Sequence, residues 1–254
     1  MPLKRLLSRL TPGAPNRPAP PDHLIYAVGD VHGRADLLDE LLSRIDADRR
    51  GEDAELIFLG DYVDRGGNSA VVLDMLIEER RKGRFATTFL KGNHEAVMLD
   101  FLVDAAAGPA WGRYGGLDTL LSYGVEPPQG GDRAQWETAR RTFASVLPAI
   151  HREFLEGLEL WAERGCYFFA HAGVNPHRPL ADQSEADLIW IRGPFLDSER
   201  KLERIIVHGH SPEPEAHADE RRIGVDTGAY ATGVLTAAKL HAGRVTFVQT
   251  GPER

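Results

Sequence analysis

The 254-residue sequence holds a single cysteine, Cys166, so no intramolecular disulfide can form. That fits a reducing compartment, with the cytoplasm as the expected location. No apolar run approaches the roughly 20 residues that cross a bilayer, and no segment reads as a secretory leader. Positive charge is also short, with 30 Lys and Arg against 38 Asp and Glu for a formal net charge of -8. This balance disfavours a nucleic-acid partner, and an anionic substrate would need a local source of positive charge. The length suffices for one large α/β domain with a substantial core.

Residues 1–21 read as an extension. Leu3, Leu6, Leu7 and Leu10 recur at helical spacing among Lys4, Arg5 and Arg9, a pattern that fits either contact with an anionic membrane surface or a frayed terminal helix. Pro12, Pro15, Pro18, Pro20 and Pro21 then form a stiff linker, and the catalytic domain is expected to span residues 22–254. Leu24 to Val28, Glu55 to Leu59 and Phe85 to Leu90 read as strands. Amphipathic helices are predicted at Ala35 to Asp48 and Ser69 to Lys82, with a third starting at Glu95. Strands and helices alternating in this way predict parallel pairing. Residues 108–147 are rich in glycine and aromatics and read as a small helical insert, with a helix around Trp136 to Ala144. Further strands are predicted at Cys166 to Ala170, Ile205 to Val207, Arg222 to Val225, Gly233 to Lys239 and Val245 to Gln249, the last three antiparallel.

Five polar clusters follow predicted strands: Gly29-Asp30-Val31-His32-Gly33, Gly60-Asp61-Tyr62-Val63-Asp64-Arg65-Gly66, Gly92-Asn93-His94-Glu95, His171-Ala172-Gly173 and His208-Gly209-His210. Loops at the carboxyl ends of strands in an open α/β sheet converge on one crevice, so these clusters can share a site despite their separation. Asp, Asn and His offer oxygen and imidazole donors and cysteine is absent, which suits divalent Mn²⁺, Fe or Zn²⁺.

These motifs, GDVHGR from Gly29, GDYVDRG from Gly60, GNHE from Gly92, HAG from His171 and GH at Gly209-His210, resemble the metallophosphoesterase superfamily, and within it the bacterial serine/threonine phosphoprotein phosphatases. The resemblance spans about Ala27 to Ala229. It implies two mixed β-sheets packed face to face and flanked by helices, an α/β/β/α sandwich. It also implies two divalent metal ions, foremost Mn²⁺: Asp30 and His32 would bind one, Asn93, His171 and His210 the other, and Asp61 would bridge them. A hydroxide bridging two such cations roughly 3.5–4 Å apart attacks phosphorus directly. His94 would be the general acid oriented by Asp64, while Arg65, Arg192 and Asn93 would grip the phosphate. His208 and Asp226 are expected to support the site from behind its ligands, and Glu95 to orient the start of its helix.

The implied substrate is a phosphorylated protein or a small phosphoester. Gly67 stands where eukaryotic members usually carry proline, which implies a looser loop. The alternative is the symmetrical hydrolysis of dinucleoside polyphosphates such as diadenosine tetraphosphate, since His171-Ala172-Gly173 is a form closer to bacterial phosphatases and to the symmetrical tetraphosphatases than to eukaryotic members. An aromatic insert around Trp111 and Tyr114 could stack a base. Asp64 counts the other way, since those relatives usually lack it.

Overall fold

Strand β1 (Leu24–Val28) is buried at every position because it has a sheet on one side and helices on the other. Ile25 and Ala27 face a second sheet, while Leu24, Tyr26 and Val28 face helices, so successive side chains enter different cores. The computed structural model from which this is read describes residues 17–251; the basic leucine-rich segment 1–10 lies outside the described residues.

In chain order, β1 is followed by α1 (Ala35–Arg49), β2 (Ala54–Phe58), α2 (Ser69–Lys82), β3 (Ala86–Phe89) and α3 (Asn93–Val103). The insert holds α4 (Gly108–Trp111), a kinked turn at Gly112–Gly116, α5 (Leu117–Ser122) and α6 (Arg133–Val146), and α7 (Ala149–Glu156) comes next. Then come β4 (Trp161–Arg164), β5 (Tyr167–Ala170), α8 (Glu185–Trp190), α9 (Gly193–Leu196), β6 (Ile205–His208), β7 (His217–Ala218) and β8 (Arg222–Gly224). The short helix α10 (Ala229–Thr232) precedes the closing hairpin β9 (Thr236–His241) and β10 (Arg244–Gln249).

The first sheet has the order β10-β9-β1-β2-β3 and the second the order β4-β5-β6-β8-β7. β1, β2 and β3 are parallel to one another, as are β5, β6 and β8. β9 runs antiparallel to β1. Both sheets are therefore mixed, and their facing sides enclose one apolar core built on Ile25, Ile57, Phe169 and Val207. Helices cover the outer faces, with α1, α2, α3, α6 and α7 on the first sheet and α8 and α9 on the second. This is the expected α/β/β/α sandwich.

Two expectations need correction. The strand at Arg222–Gly224 does not join the closing antiparallel set: it pairs parallel with β6 in the second sheet, and only β9 and β10 form the hairpin. A three-residue strand carries too little pattern to reveal its partner. The third helix starts at Asn93, two residues earlier than read, because the Glu95 side chain reaches back to the Gly92 N–H and closes the first turn. Arg17, in the proline-rich segment, donates to the carbonyls of Leu202 and Glu220.

Candidate active site

The carboxyl ends of β1, β2 and β3 in one sheet, and of β5, β6 and β8 in the other, meet along one edge of the sandwich. Six loops start there, each within three residues of its strand, and they carry Asp30 and His32, Asp61 and Asp64, Asn93 and His94, His171, His210, and Asp226. Backbone bonds lock the loops together. Asp61 accepts from the N–H groups of Val31 and His32, and the Gly209 N–H donates to His171. Glu95, fully buried, accepts from the N–H groups of Asp61, Tyr62 and Gly92 at 2.7–2.9 Å, tying two loops to the start of α3.

The backbone is sharply folded at these positions. His32, Asp61, Asp64, Arg65 and His210 all have φ between 45° and 72°. Gly60, at φ 105°, passes so close to Gly92 that a Cβ would lie 2.5 Å from its nitrogen. The carboxylate of Asp61 occupies the space that a side chain at Gly92 would need.

Two groups of buried side chains gather there. In one, His32, Asp61 and His94 bring their donor atoms together; in the other, Asp61, His171 and His210 do so. Asp61 belongs to both, the position expected of a bridging carboxylate. Two of the imidazoles are held in one orientation. His32 Nδ1 donates to the Val63 carbonyl at 2.9 Å and His171 Nδ1 to the Leu59 carbonyl at 2.9 Å, so each Nε2 is aimed into the site; burial would lower the His171 pKa, but Asp61 outweighs it and raises it to about 9, a proton that a bound cation would displace. His171 Nε2 lies 3.0 Å from Asn93 Oδ1 and 3.2 Å from His210 Nδ1. Asp30 falls in neither group; both its oxygens face the backbone N–H of His210 at 3.1 Å.

This donor set fits divalent cations on evidence internal to the fold. His32 Nε2 and His210 Nε2 are buried without a hydrogen-bond partner. Burial and the neighbouring carboxylates of Asp226 and Asp61 push Asp30 well above the usual carboxylate range, a strain that a bound cation would relieve. Burial also lowers His32 to about 3 and His210 to about 2, keeping both imidazoles neutral as ligands must be.

Beside these groups, His94 Nδ1 lies 2.6 Å from Asp64 Oδ2. Burial would lower the His94 pKa, but Asp61 and Asp64 outweigh it and hold it above its ordinary value. Arg65 Nη2 sits 3.2 Å from His94 Nε2. Arg192, exposed in the turn before α9, adds positive charge near His210. Asp226 accepts from the Gly228 N–H and faces the carboxylates of Asp30 and Asp61. His208 turns elsewhere, with Nδ1 on the Gly209 carbonyl and its ring edge-on to Phe195.

A model of the calcineurin-like phosphoesterase family matches residues 23–243. The chain belongs to the calcineurin-like phosphoesterases. It is therefore a metal-dependent phosphoester hydrolase, in keeping with the paired donor groups around Asp61. It is 23% identical over 240 residues to an asymmetrical bis(5'-nucleosyl)-tetraphosphatase of Anoxybacillus flavithermus, covering 85% of this chain and 90% of that protein. Among solved structures, one described as a candidate diadenosine tetraphosphatase superposes with a TM-score of 0.63 at 19% identity, covering 91% of this chain and 95% of the other. A cold-active protein-tyrosine phosphatase of a psychrophilic Shewanella species does so with a TM-score of 0.56 at 16% identity, covering 98% and 91%. At such identities the structural likeness establishes the calcineurin-like fold alone.

Reading the sequence missed four residues of the site. Trp111 and Thr119, both from the insert, hydrogen-bond Asp64, and Ser69 donates to or accepts from Thr119 while capping the Asp64 N–H. Trp111 is fully buried and cannot stack a base, which corrects that part of the aromatic-insert expectation; Tyr114 is exposed. Tyr230 carries the Arg65 guanidinium 4.7 Å above its ring and meets His32 edge-on. Its position one residue after Asp226-Thr227-Gly228-Ala229 was the available signal.

Proposed function

We propose that the chain is a phosphomonoesterase that removes phosphate from phosphoserine and phosphothreonine in proteins, using two divalent cations, preferably Mn²⁺, in the cytoplasm. The observation that carries this reading is the buried Asp64–His94 pair, 2.6 Å apart, with His94 held above its ordinary pKa. Serine and threonine leave as alkoxides, which are strong bases and need a proton as the ester bond breaks. A nucleotide leaves as a stable anion and needs none.

In this reading Asp30 and His32 would hold one cation, Asn93, His171 and His210 the other, and Asp61 would serve both. Such cations activate water at neutral pH and neutralise phosphoryl oxygens. The chain's own groups do the rest. Arg65, which in this structure donates to His94 Nε2 at 3.2 Å, would turn onto the phosphate oxygens with Arg192 and Asn93, freeing a protonated Nε2 for the leaving oxygen. As a water oxygen forms the new P–O bond, the ester P–O bond breaks and the Nε2 proton passes to the departing alkoxide. Asp64 keeps Nδ1–H fixed, as a carboxylate orients the histidine of a hydrolytic triad. Asp226 and His208 support this arrangement from outside it.

A second reading, dinucleoside tetraphosphate hydrolysis, is favoured by the name of the Anoxybacillus flavithermus relative, which specifies asymmetrical cleavage where the sequence motifs suggested symmetrical. Metal-stripped protein reconstituted with Mn²⁺ and assayed on a phosphothreonine peptide and on diadenosine tetraphosphate separates the two. Higher kcat/KM on the peptide is expected; a preference for the dinucleotide would replace the first reading with the second.

A further inference from the structure

The insert makes its closest contacts with the acid pair. Trp111, on α4, directs its indole N–H between both oxygens of Asp64, at 2.9 and 3.1 Å. Thr119, on α5, donates its hydroxyl to Asp64 Oδ1 at 2.6 Å and accepts the Asp64 backbone N–H at 2.9 Å. With His94 Nδ1 on Oδ2, the carboxylate is fully satisfied, and Asp64, Trp111 and Thr119 are all entirely buried.

Two glycines bring these helices close. Gly115, at φ 107°, accepts the Arg65 N–H through its carbonyl and passes within 2.6 Å, at its would-be Cβ, of the Arg65 nitrogen. A Cβ at Gly116 would strike the Trp111 ring at 2.3 Å. Behind Trp111, Phe101 of α3 and Phe143 of α6 pack against the indole, with ring centres 4.8 and 5.8 Å away. Trp111 is thus wedged from behind by Phe101 of α3 and by Phe143 of the insert's own α6, and faces the acid pair in front.

We propose that Trp111 and Thr119 are positioning residues that fix Asp64, and through it the proton on His94 Nε2, so that the insert sets which leaving groups the enzyme can expel. The inference rests on the reading of His94 as the acid. With Asp64 held by two further donors, its oxygens cannot rotate away from His94, and the imidazole stays aimed at the leaving oxygen. Loss of either donor leaves phosphate binding intact but loosens that aim. Alkyl phosphates, whose expulsion needs the proton, should suffer, while aryl phosphates, whose phenolate leaves readily, should suffer little.

The test compares Trp111→Phe, Thr119→Val and Thr119→Ser with wild type on a phosphothreonine peptide and on p-nitrophenyl phosphate, all in Mn²⁺-loaded full-length protein. Trp111→Phe removes the N–H together with part of the buried indole, so its thermal stability and metal content are measured beside its activity, and Thr119→Val, close to isosteric, carries the same test should Trp111→Phe fail to fold. The expected result is a fall in kcat of about tenfold on the peptide with much less on the aryl ester, KM being little changed on either, and recovery in Thr119→Ser, since general acid catalysis contributes about 10²–10⁴-fold when complete. Equal losses on both substrates, or none, would overturn the inference. His94→Asn is measured alongside. If it shows the alkyl-selective loss and Trp111→Phe and Thr119→Val do not, the positioning role alone fails; if His94→Asn is itself unselective, the acid assignment fails and the inference with it.

Discussion

His32, Asp61, Asp64, Arg65 and His210 all hold a left-handed backbone that non-glycine residues adopt at a cost of about 1 kcal/mol or more each. Such a cluster persists only where surroundings impose it, and here Glu95 does much of that by accepting from the backbone N–H groups of Asp61, Tyr62, Val63 and Gly92. His94 is the side chain whose removal should report most directly on the chemistry. His94→Asn is expected to slow hydrolysis of a phosphothreonine peptide by about 10²-fold or more while metal content measured by elemental analysis is retained; unchanged turnover would remove its role as acid. Tyr230 should act through Arg65. Tyr230→Leu is expected to raise KM for phosphoesters about threefold with kcat nearly constant, and Tyr230→Phe to behave as wild type, because the ring face and not the hydroxyl holds the guanidinium. The Asp64–His94 pair was legible through the resemblance of GDYVDRG and GNHE to the family's motifs; position alone put both residues in polar clusters after strands without pairing them. Trp111 and Thr119 were not, since an indole N–H reaching an acid 47 positions away leaves no local pattern. The remaining histidines give no such signal either: His151, buried, bonds Tyr123 and Asp74 and holds the insert to α2 and α7.

At the scale of elements, the first sheet and its helices were readable because β1 is a continuous apolar run and β2 and β3, though they carry Glu55 and two threonines, end in apolar residues and alternate with amphipathic helices. The second sheet was less so. β4, β7 and β8 are two to four residues long and only partly buried, so alternation could not give their partners. The two sheets are joined away from the site by Glu55 of β2, which accepts from Arg164 of β4 at 2.6 Å and also meets His23 and Thr88. Burial would raise the Glu55 pKa, but Arg164, His23 and Thr88 outweigh it and leave the carboxyl below its usual value. A carboxyl depressed on folding stabilises fully above its unfolded pKa and loses that contribution as pH falls through the folded value. Glu55→Gln, which leaves Arg164 without its charge partner, is therefore expected to lower stability by about 1–3 kcal/mol at pH 7. In thermal melts the difference from wild type should shrink steadily once the pH drops below the ordinary glutamate range. A gap that stayed constant to pH 3 would show that the ion pair is not what joins the sheets there.

For the molecule as a whole, the question is how a chain with a formal net charge of -8 handles an anionic ester. The account places the answer at one edge of the sandwich. Loops from two sheets bring carboxylates and imidazoles together in two groups that share Asp61, with Arg65 and Arg192 beside them. No helix among the described residues is long and apolar enough to cross a membrane, and the fold spends its apolar surface on three cores. If Asp61 is the residue shared by both cations, its loss should empty the site as a unit. The measurement that tests this most directly is bound Mn²⁺ per chain, by elemental analysis after reconstitution and desalting, for wild type and Asp61→Asn, with p-nitrophenyl phosphate turnover on the same samples. The account predicts two ions per chain and turnover abolished by chelation in wild type, with both metal and turnover lost in Asp61→Asn. Full turnover by thoroughly chelated wild-type protein, or an Asp61→Asn variant that keeps two ions and its rate, would contradict it.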